Sequence, residues 1–302
     1  PQSFNASAAI EVLDDIFARR RPAADALKDW GLSHRFAGSG DRSAISALVY
    51  DALRRKASSA YLMRQETSRA LILGMLKLER KLDADSISAL CTGERFAPEP
   101  LSEDEQTALR NEAAFKDAPA YIISDYPEWL DQQFAASFGE GRADELSHLA
   151  HRAPLDLRVN TLKTTPDHGF EELKHLHVTR SALSPVGLRI ELSAEGKQPS
   201  VQSEPAYLKG HVEIQDEGSQ LVAQLASVDP GMQVIDLCAG GGGKTLALAA
   251  LMDNRGQIFA TDSDKRRLAP IFDRLTRAAA RNVQVRAPKG KGDEPLAGLE
   301  NH

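Results

Sequence analysis

The chain has 302 residues, 42% hydrophobic and 26% charged, a formal net charge of −6 and two cysteines; that length suggests two or three domains with a sizeable core and a soluble globular class. No apolar run approaches a membrane span, the first residues lack a basic-then-apolar leader pattern, and Cys91 and Cys238 make no disulfide framework; a cytoplasmic protein with no membrane partner is expected. The acidic balance excludes a surface that is basic all over, so a nucleic acid would have to meet local patches.

The first segment, to about residue 112, reads as helical. Ala9, Val12, Leu13, Ile16 and Phe17 recur at helical spacing before Arg19-Arg20-Arg21-Pro22, where proline interrupts. Asp41 stands as an N-cap before Ile45, Leu48, Val49, Ala52 and Leu53, and that helix ends in Arg54-Arg55-Lys56. Leu71, Leu73, Met75, Leu76 and Leu78 continue a bundle. The basic triplets fit a nucleic-acid contact or, more blandly, the favourable dipole position at a helix C-terminus. Cys91 has no neighbouring His or Cys for a metal site and reads as a buried apolar side chain, and no metal is expected.

Pro98, Pro100 and the acids from Glu103 to Glu105 suggest an exposed connection. A second segment opens near Tyr121. Pro127 starts a helix carrying Phe134 and Phe138, stopped by Gly139 to Gly141; Pro154 to Leu162 reads as a strand, Phe170 to Leu176 as a helix and Leu188 to Leu192 as an alternating strand. The pattern is that of a small α/β module. Arg158 and Asn160 are its RNA-contact candidates, since guanidinium and amide groups suit phosphates and base edges. The other reading is that they tie a strand to its neighbouring domain.

The most informative stretch runs from Val234 to Asp262. Val234 to Leu237 is a short apolar strand, Gly240 to Gly243 a loop, Lys244 to Met252 an Ala/Leu helix, and Gly256 to Thr261 a second strand ending at Asp262. Glycines let backbone approach a ligand, a helix N-terminus offers free N–H groups, and open parallel sheets bind ligands beyond their strand carboxyl ends. Asp262 can accept from both hydroxyls of a ribose, so a nucleoside-containing cofactor is expected. A phosphate loop needs glycine six positions before its lysine, and that position before Lys244 is Cys238. The dinucleotide pattern fails as well, at Thr245 from Gly240 and at Leu246 from Gly241. The looser glycine loop of S-adenosylmethionine (SAM) enzymes remains. Further on, ten Lys or Arg between Arg255 and Lys291 stand against Asp262, Asp264 and Asp273, a surplus of seven that suits a polyanion or a solvated helix face. Asn282 to Val285 reads as a third strand.

Three stretches also resemble one family. Asp-Leu-Cys-Ala-Gly-Gly-Gly-Gly-Lys-Thr from Asp236, Leu157 to Lys163, and Glu213 to Gln220 are similar to the RsmB/Sun (Fmu) RNA 5-methylcytosine methyltransferases, with Gly241 where that family usually has proline. Asp41-Arg42 and Leu48 to Arg55 resemble its NusB-like N-terminal domain. The resemblance implies a multidomain protein: an all-α NusB-like RNA-binding bundle over 1–117, a small RNA-recognition-like α/β module over 118–205 and a partial Rossmann-like SAM methyltransferase sheet over 206–302. It implies methylation of cytosine C5 in RNA, ribosomal RNA above all, by a monomer. The cofactor shell carried over is Cys238, Ala239, Gly240, Gly241, Gly242, Gly243 and Lys244, with Asp262 on the ribose and Asp293 near the adenine amine. The family's catalytic cysteines lie in Pro-Cys motifs that do not occur in these residues, so no catalytic residue is assigned and the chain alone is expected to be inactive. Two other classes stay open: an ATPase built on Gly243-Lys244-Thr245, and a non-catalytic RNA-binding protein.

Overall fold

The structure is a computed structural model, and it describes residues 2–191, 199–288 and 296–299. It divides into two compact units, Pro1–Ala153 and Pro154–His302.

The first unit is helical: α1 Gln2–Arg19, α2 Ala23–Ser33, α3 Ser39–Arg54, α4 Lys56–Met63, α5 Ser68–Leu78, α6 Ala84–Leu90, α7 Glu103–Arg110, α8 Ala120–Ile123, α9 Asp131–Phe138 and α10 Arg142–Ala150. Helix α5 is the central one. Thr67 caps it by accepting from Ala70 N, and every residue from Ala70 to Leu76 is buried, packed among Leu13, Ile45 and Leu109. A helix apolar all round is stable only when surrounded in this way. Asp41 is not the N-cap of α3: the helix starts two residues earlier, and Asp41 in its first turn accepts from Gly38 N at 3.3 Å.

The basic triplets are largely held by neighbouring acids. Arg21 donates to Asp29 and Asp15, Arg54 and Arg80 both reach the buried Asp51, and Arg55 donates to Glu79 and Asp125. Lys56 lies over the Phe17 ring, its ammonium 5.2 Å from the centroid. Burying a charge requires a partner, and the arginines at the end of α3 supply that partner for Asp51 and Asp125.

The second unit holds two sheets. The first is antiparallel, ordered β2 (Thr179–Arg180), β3 (Gly187–Ile190), β1 (Leu155–Val159), β4 (Val212–Ile214). Leu157 pairs with Leu188 on one side and Ile214 on the other, and Leu157, Val159, Leu188, Ile190 and Val212 form its core with Leu173 of α11 (Pro166–Leu173). Helix α11 begins four residues before Phe170, because Thr165 accepts from His168 N and Pro166 takes the first helical position. Leu192, read as the end of a strand, lies outside the described residues.

After α12 (Pro205–Leu208), β4 and α13 (Glu217–Leu225), the chain builds a parallel sheet ordered β5 (Gln233–Asp236), β6 (Gln257–Ala260), β7 (Val283–Val285). Helix α14 (Gly243–Leu251) connects the first two strands; α15 (Lys265–Leu268) and α16 (Ile271–Ala278) connect the last two. Ala247, Leu248, Ala249 and Met252 pack on Ile258 and on Ala223 of α13. Among the described residues β5 is an edge strand, with Ile235 45% and Leu237 60% exposed.

Candidate cofactor site

Strand β5 delivers Asp236 to the carboxyl end of the parallel sheet, and the loop that follows is fixed from several directions. Ala239 N donates to Thr261 O at 2.9 Å, and Gly240 N donates to Asp262 Oδ2 at 3.0 Å. The other oxygen of Asp262 accepts from Asp264 N at 2.9 Å, so one buried carboxylate joins the loop after β5 to the loop after β6. Gly242 closes the turn at φ +83°, and a Cβ there would stand 2.6 Å from Ile271 Cγ1, so glycine answers both the backbone and the packing. Arg274 from α16 donates to Gly241 O at 2.8 Å and, through Nη2, to Glu213 at 3.0 Å.

The first turn of α14 is anchored as well. Thr245 is fully buried and its hydroxyl donates to Asp236 Oδ2 at 2.7 Å, which ties the acid at the end of β5 to the helix N-terminus.

A cavity of about 280 Å³ opens beside the loop, lined among others by Gln215, Asp216, Cys238, Ala239, Lys244 and Arg274. Its size lies at the lower end of small-molecule sites. Gln215 is the informative wall. Its Oε1 accepts from Arg158 Nε at 2.6 Å, which settles the orientation of the amide because Nε can only donate. Its Nε2 is buried and has no hydrogen-bond partner among the described residues, although it lies 3.8 Å from where a Cβ on Gly243 would be. A buried donor without an acceptor costs about 1–3 kcal/mol, so this nitrogen, shut off from solvent beside the cavity, is a local cost of the arrangement.

The structure therefore brings Cys238, Ala239, Gly243 and Lys244 to one cavity, with Gly240, Gly241 and Gly242 as its frame and Asp262 behind Gly240. Asp293 lies outside the described residues. The cysteines differ: the Cys238 thiol is exposed, whereas burial pushes the Cys91 thiol up.

Arg158 and Asn160, open to reading as RNA contacts or as ties to a neighbouring domain, are both buried and bonded within the second unit. Arg158 is 3% exposed, and burial, opposed by the nearby Glu213 carboxylate, pushes its guanidinium down to about 10. Asn160 is buried too, and its Nδ2 donates to Gly210 O and Ala278 O, both at 2.9 Å, tying β1 to the end of α16. Gly210 tolerates that joint at φ +73°, with Arg277 O only 2.0 Å from where a Cβ would sit. Asn160 thus ties β1 to the end of α16, while Arg158 bonds within the antiparallel sheet, to the residue that follows β4.

Sequence reasoning missed Glu213, Arg274 and the Asp236–Thr245 bond. Glu213 is 1% exposed and takes both Arg274 and Arg277, which removes two cations from the surplus counted between Arg255 and Lys291. The segment Glu213 to Gln220 could have signalled this, because a run so rich in polar groups beside a strand needs internal partners. Asp216 caps α13, Glu217 Oε1 accepts from Leu183 N and Ser184 N, and Gln220 donates to Leu157 O.

Comparison with known proteins follows the same lines. Residues 223–295 match the family described as 16S rRNA methyltransferase RsmB/F, and residues 126–195 match the ferredoxin-like domain of RsmF/B-like methyltransferases. A probable ribosomal RNA small subunit methyltransferase B from Synechocystis is 27% identical over 91% of the chain and 67% of that protein. A mouse 28S rRNA (cytosine-C(5))-methyltransferase is 39% identical over 43% of the chain and 31% of its own length. The chain thus spans about two thirds of the first relative and about a third of the second. The crystal structure of PH0851 superposes with a TM-score of 0.62 at 21% identity, covering 94% of this chain and 68% of that one. The matches cover α9, α10 and strands β1 to β3 on one side and the glycine-loop unit on the other. Over these residues the chain is similar to the RsmB/RsmF methyltransferases.

Proposed function

We propose that this chain supplies the RNA-positioning and cofactor-binding parts of a SAM-dependent ribosomal RNA cytosine-C5 methyltransferase. The observation that carries the reading is the Asp262–Gly240 clamp beside a cavity lined by Cys238, Ala239, Gly243 and Lys244. The names of the relatives support the reaction class and the rRNA substrate.

The residues present fit SAM, which supplies a methyl group made electrophilic by its sulfonium. In this reading Lys244 Nζ receives the carboxylate of its amino-acid arm, Asp216 faces the ammonium, and Gln215 with the loop from Cys238 to Gly243 forms the wall. Asp262 takes the ribose hydroxyls with lone pairs not engaged by Gly240 and Asp264, and Asp293 belongs to the adenine side. Arg158 orients the Gln215 amide and so acts one layer behind the cofactor. Attack at cytosine C5 calls for a thiolate at C6 and a base for the C5 proton. Neither role is assigned to a residue of this chain; Cys238 is a wall of the cofactor cavity.

Residues 1–117 are the NusB-like RNA-binding part in this reading, 118–205 the RNA-contacting module and 206–302 the Rossmann-like cofactor half, acting as a monomer in the cytoplasm. The ATPase reading has less support, because Thr245, which would have to present its hydroxyl to a magnesium ion, is buried and bonded to Asp236.

Calorimetric titration with SAM and then with ATP and Mg²⁺ tests the proposal. Saturable SAM binding without ATP binding is expected. ATP binding alone would overturn the reading in favour of a nucleotidase, and salt-dependent RNA binding by a chain indifferent to SAM would leave a non-catalytic RNA-binding protein.

A further inference from the structure

Apart from these assignments, His168, Glu172 and His211 converge. They are the group of three His, Cys, Asp or Glu residues among those described whose ligand atoms all lie within 4.8 Å of one another. His168 and Glu172 are four residues apart on α11 and so share a face of the helix. His211 comes from the segment between α12 and β4, and its backbone is held at both ends: its N donates to Ala206 O and its O accepts from Asn160 N, each at 2.8 Å.

The two imidazoles approach different oxygens of one carboxylate. His211 Nδ1 lies 2.8 Å from Glu172 Oε2, and His168 Nε2 lies 3.8 Å from Glu172 Oε1. In a tetrahedral site with metal–ligand bonds of about 2.0–2.1 Å, neighbouring ligand atoms stand roughly 3.3–3.5 Å apart. One ligand atom from each residue lies within 4.8 Å of the other two, so side-chain rotations would bring two nitrogens and one oxygen to one ion. An ordinary His–Glu hydrogen bond accounts for His211 alone. It does not account for a second imidazole converging on the other oxygen.

We propose that His168, Glu172 and His211 bind a divalent transition metal of the zinc class, with two nitrogens, one oxygen and solvent in the fourth position. Imidazole with carboxylate suits zinc, copper or nickel ahead of magnesium or calcium. The consequence is mechanical. His211 follows Gly210, whose carbonyl accepts from Asn160, so a metal clip between α11 and this segment firms the joint between the two sheets. The sequence hides the site, since 39 residues separate Glu172 from His211 and no cysteine marks it.

The test uses the full chain, titrated with Zn²⁺ by calorimetry and with Co²⁺ by visible absorption, against His168→Ala, Glu172→Gln and His175→Ala. His168 has a 61% exposed side chain, so its replacement leaves folding intact. One saturable equivalent is expected, weakened at least tenfold by His168→Ala and by Glu172→Gln and unchanged by His175→Ala, a histidine paired instead with Glu204. Zn²⁺ should raise the melting temperature of the parent chain and not of His168→Ala, with chelator reversing the gain. No saturable binding, binding that survives His168→Ala at full strength, or a cobalt spectrum with a thiolate charge-transfer band would overturn the proposal.

Discussion

The two sheets of the second unit use polar residues in opposite ways. In the antiparallel sheet, Asp156, Arg158, Glu213 and Gln215 are buried and nearly every charge meets a partner: Arg189 pairs with Asp156 at 2.7 Å, and Glu213 with two arginines. The Arg189 guanidinium is held above its usual range, chiefly by its hydrogen bond to Asp156. In the parallel sheet the strands are short and apolar, the edge strand exposes Ile235 and Leu237, and the polar groups gather in the loops at the strand ends. A network closed on itself specifies architecture, whereas the loops beyond strand carboxyl ends are where open parallel sheets receive ligands. The boundary between the two runs through Gln215, whose oxygen accepts from Arg158 and whose buried nitrogen has no hydrogen-bond partner among the described residues.

The largest expected effect lies in the closed network. Glu213→Ala leaves Arg274 and Arg277 without their shared carboxylate and should lower unfolding free energy by about 3 kcal/mol, the low end for a broken buried pair because both guanidinium groups keep some solvent. Urea denaturation reads this directly, and a loss under about 1 kcal/mol would show that the network is dispensable. Asn160→Ala removes two hydrogen bonds across the joint and should cost about 2 kcal/mol by the same measurement, with SAM affinity little changed.

The next pair sharpens the contrast on the open side. Asp262→Ala should weaken SAM binding more than tenfold and loosen the loop, because Gly240 N and Asp264 N lose their acceptor; unchanged affinity in calorimetry would remove Asp262 from the site. Gln215→Ala should weaken SAM binding by about tenfold while destabilising the fold less than Glu213→Ala, since it removes an unmatched donor together with one bond to Arg158. The smallest effect is expected at Arg266→Ala. Its pair with Asp264 is exposed, and the melting temperature should not move measurably.

Much of the fold can be read from local pattern. The strand, glycine loop, helix and strand from Val234 to Asp262 appear within a residue or so of expectation, because apolar runs bounded by glycines leave the chain few alternatives. The helical character of the first unit follows from the 3.6-residue recurrence of Leu and Ile. Strands β2 and β4 escaped notice, since two or three residues carry no periodicity and exist only through their neighbours β3 and β1. Asp41 shows the same limit at a helix end: its chemistry suits a cap, but the backbone enters the helix two residues earlier.

The amino-acid sequence by itself determined the glycine loop, the acid that closes it and the resemblance to the RsmB/RsmF methyltransferases, because those depend on residue types at short spacing. Only the tertiary structure decided which charges are buried. Arg158 and Asn160 carry groups suited to RNA, yet Gln215 lies 57 residues away from Arg158 and Ala278 lies 118 away from Asn160, and it is those distant partners that take their hydrogen bonds. A side chain's chemistry is written locally; whether solvent, ligand or protein satisfies it is settled by what folding brings within 3 Å.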